Sequence, residues 1–170
     1  MSVHIQLMRP DDLDDVLLAQ ADVYAADLLE DRSFYQNRLD LAPHSCWVAR
    51  DAQHRLQGYL ISYPWAGRLP PALGDALASL PARPDQWFIH DCAVLRRAQG
   101  RGVASALLAE GHRYARRQGL RRCSLVSLGP ALAYWEKLGY QPVQDVAPDT
   151  LARKLAQYGE QASFMDMYVD

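Results

Sequence analysis

Apolar and polar positions alternate from Val3 to Met8, as in a strand with one buried face. Arg9-Pro10-Asp11-Asp12 stops that run and offers caps for a helix. Leu13, Val16, Leu17, Ala21 and Tyr24 then recur at helical spacing, which predicts a helix to about Tyr24, and a second is expected from Asp31 to about Asp40. The runs 46–50 and 56–63 read as two strands joined by the polar turn 51–55, a β-hairpin. From Pro64 to Asp85 the chain turns rich in Pro, Gly and Ala, and Pro70-Pro71 and Pro81 bracket a short helical piece expected from Leu73 to Leu80. Ordered connections of this length are often lids or binding loops.

A strand is predicted from Trp87 to Val94. It is followed by a helix from Gly102 to Arg117, whose apolar stripe is Val103, Leu107, Gly111 and Tyr114 and which Gly119 stops. The strand expected from Arg122 to Leu128 has no polar alternate face, as buried parallel strands tend to lack one. A short helix from Pro130 to Lys137 ends at Gly139, and two closing strands are expected at 140–143 and 163–169. An early hairpin with late alternation of strand and helix fits an α/β chain: a single domain over residues 1–170, built on a mixed sheet with helices on both faces.

Charge narrows the partners. The 18 Lys and Arg are balanced by 20 Asp and Glu, for a formal charge of -2. A nucleic-acid-binding surface needs a clustered basic excess, so no nucleic-acid partner is expected. Cys46, Cys92 and Cys123 are too widely spaced for a thiolate cluster and lie in apolar stretches, so they read as reduced core residues, and no metal is expected. No apolar run reaches the roughly 18 residues needed to span a bilayer, and Met1-Ser2-Val3-His4 does not open a basic-then-apolar leader. The expectation is a cytoplasmic protein without a membrane partner, as a monomer or homodimer.

Gln99-Gly100-Arg101-Gly102-Val103-Ala104 lies where a strand gives way to a helix. Free backbone N–H groups and the positive end of a helix dipole meet there, which suits a phosphate. Gly100 and Gly102 remove Cβ atoms that would hold a diphosphate off the backbone, and Arg101 or Arg97 could add a charged hydrogen bond. Taken alone, a Gly pair before a helix is as often a plain turn. No Lys-Ser or Lys-Thr follows the glycines, and the dinucleotide pattern would need a third glycine, so neither common nucleotide motif is present.

A second motif accompanies this segment: Ala131-Leu132-Ala133-Tyr134-Trp135-Glu136-Lys137-Leu138-Gly139-Tyr140. With Val94 leading into Gln99–Ala104, the stretch from Ile89 to Tyr140 resembles the core of the GNAT superfamily of N-acetyltransferases. The resemblance implies a splayed mixed sheet with acetyl-CoA as co-substrate between the strands 87–94 and 122–128. Backbone groups of Cys92, Ala93 and Val94 would pair with the pantetheine arm. Gln99, Gly100, Arg101, Gly102, Val103 and Ala104 would hold the pyrophosphate, with Tyr134 and Lys137 beside the cofactor. An N–H near Val94 would stabilise the oxyanion as an amine attacks the thioester.

His90 stands on the strand beside the expected thioester, where many relatives carry a Glu, and imidazole titrates in the range a general base needs. It is equally readable as a core histidine. Asp91 could orient it only across a bulge, because consecutive strand residues face opposite ways; otherwise Asp91 has a structural or substrate-contact role. Trp135 falls on the catalytic position where relatives commonly place a proton-donating Tyr, and an indole cannot give up its proton. Tyr134, about 100° further around the helix, is expected on the core side. Relatives often carry an Asn where this chain has Leu128.

Glu30, with Asp27 and Asp31, could recognise a cationic acceptor, and Tyr63, Trp65 and Trp87 could wall its pocket or belong to the core. Cys92 as an acyl-carrying nucleophile is the weaker reading of that residue. The function expected is acetyl transfer to a primary amine of a small molecule or peptide, with a non-catalytic acyl-CoA sensor as the alternative.

Overall fold

The computed structural model describes residues 2–170; Met1, part of the opening tetrapeptide and of the 1–170 domain reading, lies outside the described residues. Strands β1 (His4–Leu7), β2 (Cys46–Arg50), β3 (Leu56–Trp65), β4 (Gln86–Val94), β5 (Arg122–Ser127), β6 (Gln141–Pro142) and β7 (Ser163–Tyr168) form one sheet in the order β1-β2-β3-β4-β5-β7-β6. All neighbouring strands run antiparallel except β4 and β5, which are joined by the crossover helix α3 (Val103–Arg117). Helices α1 (Leu13–Val23) and α2 (Arg32–Leu41) precede the hairpin, α4 (Leu132–Lys137) follows β5, and α5 (Pro148–Leu155) precedes β7. This is the mixed, two-faced α/β sheet expected.

Side-chain alternation along β3 divides the two faces. Tyr59 meets Tyr35 of α2 edge-on, while a Cβ built on Gly111 of α3 would meet Leu60 at 3.3 Å and the Trp87 ring at 2.2 Å. No side chain fits at position 111, and the helix packs against the sheet through that gap. Trp87 is thereby a core residue beneath α3, not a wall of an acceptor pocket.

One local expectation fails, and one helix forms where none was expected. No helix forms between Leu73 and Leu80, because side chains from elsewhere take up the backbone groups a helix would pair internally. Asn37 accepts from Leu77 N at 3.0 Å and donates to Leu77 O at 2.9 Å. Arg38 donates to Asp75 O at 2.8 Å, and Gly74 N donates to Glu30 Oε2 at 2.9 Å. The helix α5 forms where no element was expected; Leu151 and Leu155 recur at helical spacing, Pro148 and Asp149 stand in its first turn, and Arg153 and Lys154 in its last.

Candidate active site

The sheet opens where the chemistry is expected. β4 and β5 pair only from Gln86–Ile89 against Arg122–Leu125; beyond that β4 continues without β5, which pairs with β7 as far as Ser127↔Ser163. On the other side β4 stays joined to β3 through Val94, and Leu95 N donates to Gln57 O at 2.9 Å. Backbone direction alternates along a strand, so the N–H groups of Cys92 and Val94 point away from β3, into the cleft. Val94 O already accepts from Gln99 Nε2 at 3.1 Å.

A groove of about 1160 Å³ runs from this edge to the start of α3, lined by Cys92, Val94, Gln99, Gly100, Gly102, Val103 and Ala104 among others. Gly100 and Gly102 have φ of 73° and 78°, and a Cβ at either would meet no atom within 4 Å. The turn is thus shaped by left-handed backbone rather than by crowding. Ala106 N closes the first helical bond onto Gly102 O, so the amides of Val103, Ala104 and Ser105 have no partner within the helix and face the groove wall. The side chain of Ala93 is buried on the opposite face, and Arg101 and Lys137 line neither cavity. Arg97 donates its guanidinium to Leu56 O at 2.9 Å.

A second cavity of about 170 Å³ adjoins the groove, sharing Tyr24, Leu28, Cys92, Ala104, Leu128, Ala131, Tyr134 and Tyr158 with it. Its polar end holds Glu30, His90 and Asp91. The β3–β4 register steps from Ile61↔Asp91 to Ser62↔Ile89, which leaves His90 as the unpaired residue of a β-bulge. The bulge turns His90 and Asp91 toward the same cavity, but Asp91 does not orient the imidazole. His90 Nε2 lies 2.7 Å from Glu30 Oε1, with the two side chains only 1% and 6% exposed. His90 Nδ1 lies 3.3 Å from the Tyr63 hydroxyl, and the Phe34 ring covers the imidazole at 4.6 Å. Tyr63, fully buried, therefore stands behind His90 rather than on the cavity surface.

Asp91 accepts instead from three phenols, Tyr24 at 2.5 Å, Tyr59 at 2.5 Å and Tyr35 at 3.2 Å. Burial pushes its carboxyl above the ordinary range, against the opposing effect of those donors. Glu30 is fixed through its main chain: Gln20 Oε1 accepts from Glu30 N at 3.1 Å, and Gln20 Nε2 donates to Glu30 O at 2.5 Å. Of the other two carboxylates considered, Asp31 caps α2 by accepting from Phe34 N, and Asp27 is exposed in a 3-10 turn, so only Glu30 reaches the cavity.

In the aromatic pair of α4, Tyr134 does not lie on the core side as its turn around the helix suggested, while Trp135 borders the small cavity. Trp135 is the buried member at 8% exposure and packs edge-on against Tyr140, while Tyr134 is 40% exposed and lines both cavities. The short helix presents Tyr134 to the cleft because Trp135 fills the space beside Tyr140. Burial raises the Tyr134 phenol above its ordinary value, so it keeps its proton through neutral pH. Cys92 lies in the cleft wall with its thiol pushed up to about 12 by burial, which leaves it a neutral thiol and a poor nucleophile. Among the described residues no group of three or more His, Cys, Asp or Glu could hold a metal ion, and no helix is long and apolar enough to cross a membrane.

A β4–β5 pair that splays beside the start of the crossover helix α3, within one mixed sheet, is the architecture of GNAT-type acetyltransferase folds. Residues 12–140 match the family model described as "Acetyltransferase (GNAT) family", and the chain belongs to that family. Solved structures agree in fold. Ard1 from Thermoplasma volcanium is 16% identical with a TM-score of 0.73, the match covering 100% of this chain and 99% of that one. The loading GNATL domain of CurA from Lyngbya majuscula is 11% identical with a TM-score of 0.78, covering 99% and 98%. Arabidopsis thaliana Naa50, in complex with the bisubstrate analogue CoA-Ac-MVNAL, is 13% identical with a TM-score of 0.68, covering 99% and 100%. No curated protein sequence matches the chain.

Proposed function

We propose that this chain is an N-acetyltransferase that uses acetyl-CoA as co-substrate and passes the acetyl group directly to a primary amine in a ternary complex. The observation that carries the reading is the continuity of the two cavities. One cleft leads from the free amides of Val103–Ser105, past the exposed edge of β4, to Glu30 and His90. Family membership supports acyl transfer from CoA as its chemistry.

Bound in that cleft, acetyl-CoA would supply an electrophilic thioester carbonyl. Residues 99–104 are suited to hold its diphosphate by backbone N–H groups and the α3 dipole. The Val94 N–H is directed toward the cleft, where it can donate to the carbonyl oxygen as negative charge grows there. The acceptor's ammonium proton passes to the hydrogen-bonded Glu30–His90 pair. The amine nitrogen then forms a C–N bond as the C–S bond breaks, and the sulfur leaves as a thiolate that Tyr134, at the junction of the cavities, can protonate. Thiols ionise at moderate pH, so this last assistance is modest.

The test is release of free thiol from acetyl-CoA over a panel of amines, with product mass confirming the amide. Thiol release that depends on an amine supports the reading. Tight acetyl-CoA binding without turnover on any amine would favour the sensor alternative.

A further inference from the structure

The connection 66–85 is a strap fastened on both sides of the small cavity. On the α2 side it is held by the two Asn37–Leu77 bonds, by Arg38 to Asp75 O, and by Gly74 N to Glu30 Oε2. Arg38 is itself fully buried, with its guanidinium 4.4 Å from the Phe34 ring and 5.2 Å from that of Tyr63. On the other side the Tyr158 hydroxyl donates to Pro71 O at 2.9 Å, and Leu73 N donates to Gln157 Oε1 at 3.2 Å. Leu73 and Tyr158 both line the cavity, so the strap forms part of its wall.

Three properties of the space beneath follow. It is small: a cavity of roughly 150 Å³ holds one benzene, so the 170 Å³ here, entered by the acetyl group only from its junction with the groove, suits an acceptor of about six non-hydrogen atoms. Its polar end presents the carboxyl groups of Glu30 and Asp91 beside the tyrosines Tyr24 and Tyr158, and the one basic side chain there, His90, is already engaged by Glu30 and Tyr63. Neither Lys nor Arg is among the residues lining it. An acceptor carboxylate would therefore sit unpaired near Glu30, and burying an unpaired charge is costly. An extended peptide would have to cross a strap bonded to both banks.

We infer that the acceptor is a compact primary amine with a short apolar body and no carboxylate, bound under the 66–85 strap with its ammonium at Glu30. The inference rests on the acetyl-transfer reading and narrows its substrate class, setting free α-amino acids and peptide N-termini aside. The transfer itself balances as written above: the amine gains the acetyl group, CoA leaves as the thiol, and the ammonium proton goes to the Glu30–His90 pair.

The experiment compares isoamylamine, leucine and a tetrapeptide beginning with leucine, three acceptors that share one side chain, by thiol release at equal acetyl-CoA. The expected result is a kcat/KM for isoamylamine about 100-fold or more above both others, the scale on which unmatched charge discriminates. Leucine or the tetrapeptide performing as well as isoamylamine would overturn the inference and leave acetyl transfer standing. No thiol release with any of the three, from protein that binds acetyl-CoA in calorimetry, would overturn both. As a second arm, Leu73→Ala enlarges the cavity beneath the strap and should raise the hexylamine-to-isoamylamine ratio of kcat/KM about tenfold, the scale of one methylene or more in a fitted pocket. An unchanged ratio would remove the strap from the acceptor site.

Discussion

Glu30 and His90, 60 positions apart in the chain, face each other at 2.7 Å inside the cavity that adjoins the groove at the start of α3. Their backbones are set by unrelated means: Glu30 by the amide of Gln20, His90 by a bulge against β3. If the pair takes up the acceptor's proton as one unit, His90→Ala and Glu30→Gln should each lower kcat about 100-fold, within the usual range for general-base loss. The double variant should be little worse than either single one, because groups acting together are not additive. Steady-state kinetics of the three variants checks this, and strictly additive losses would separate the roles.

The fold was legible in the chain because hydrophobic period and turn residues are local signals. The sequence from Trp87 through Gly102 to Arg117 carries a strand, a glycine turn and an amphipathic helix, and these form as expected. The left-handed glycine turn before α3 was legible for the same reason. The small cavity was not, because it is made of long-range pairings. Nothing in the spacing of Gln20, Tyr24, Glu30, Tyr35 and Tyr59 says that they converge on His90 and Asp91. Glu30 was picked out as a contact for a cationic acceptor, without its imidazole partner. The connection 64–85 was legible as a long ordered loop, but its fastening was not, because its backbone partners, Asn37 and Arg38, lie on a distant helix.

Asp91 makes stability depend on pH in a defined direction. Burial holds its folded-state carboxyl above the ordinary value of 3.8, so the folded state binds that proton more tightly than the unfolded chain does. Ionisation of Asp91 therefore lowers stability progressively as pH rises from about 3.8 through its raised value, and the loss is complete above that. Asp91→Asn does not ionise. Urea unfolding from pH 4 to 7 should show wild type losing stability relative to Asp91→Asn as pH rises; a constant difference across that window would contradict the assignment.

Tyr134 lines both cavities, whereas the largely buried Trp135 borders only the small one. Tyr134→Phe should lower kcat about tenfold or less, because a thiol leaves with little help, and should leave thermal stability nearly unchanged. Trp135→Ala removes a buried ring and should cost about 3–5 kcal/mol of stability. Thermal melts alongside thiol-release kinetics distinguish the two outcomes.

The account rests on the turn before α3 holding the diphosphate of an acyl-CoA, and calorimetric titration of acetyl-CoA into Gly102→Glu and Gly102→Ala tests it most directly. Residue 102 has φ of 78° with open space around it, so either substitution brings backbone strain of about 1–2 kcal/mol, but only Glu adds a negative charge at the phosphate position. The predicted result is acetyl-CoA affinity weakened at least 100-fold in Gly102→Glu and far less in Gly102→Ala, with both proteins folded. Wild-type affinity in a folded Gly102→Glu would place the diphosphate elsewhere and contradict the account.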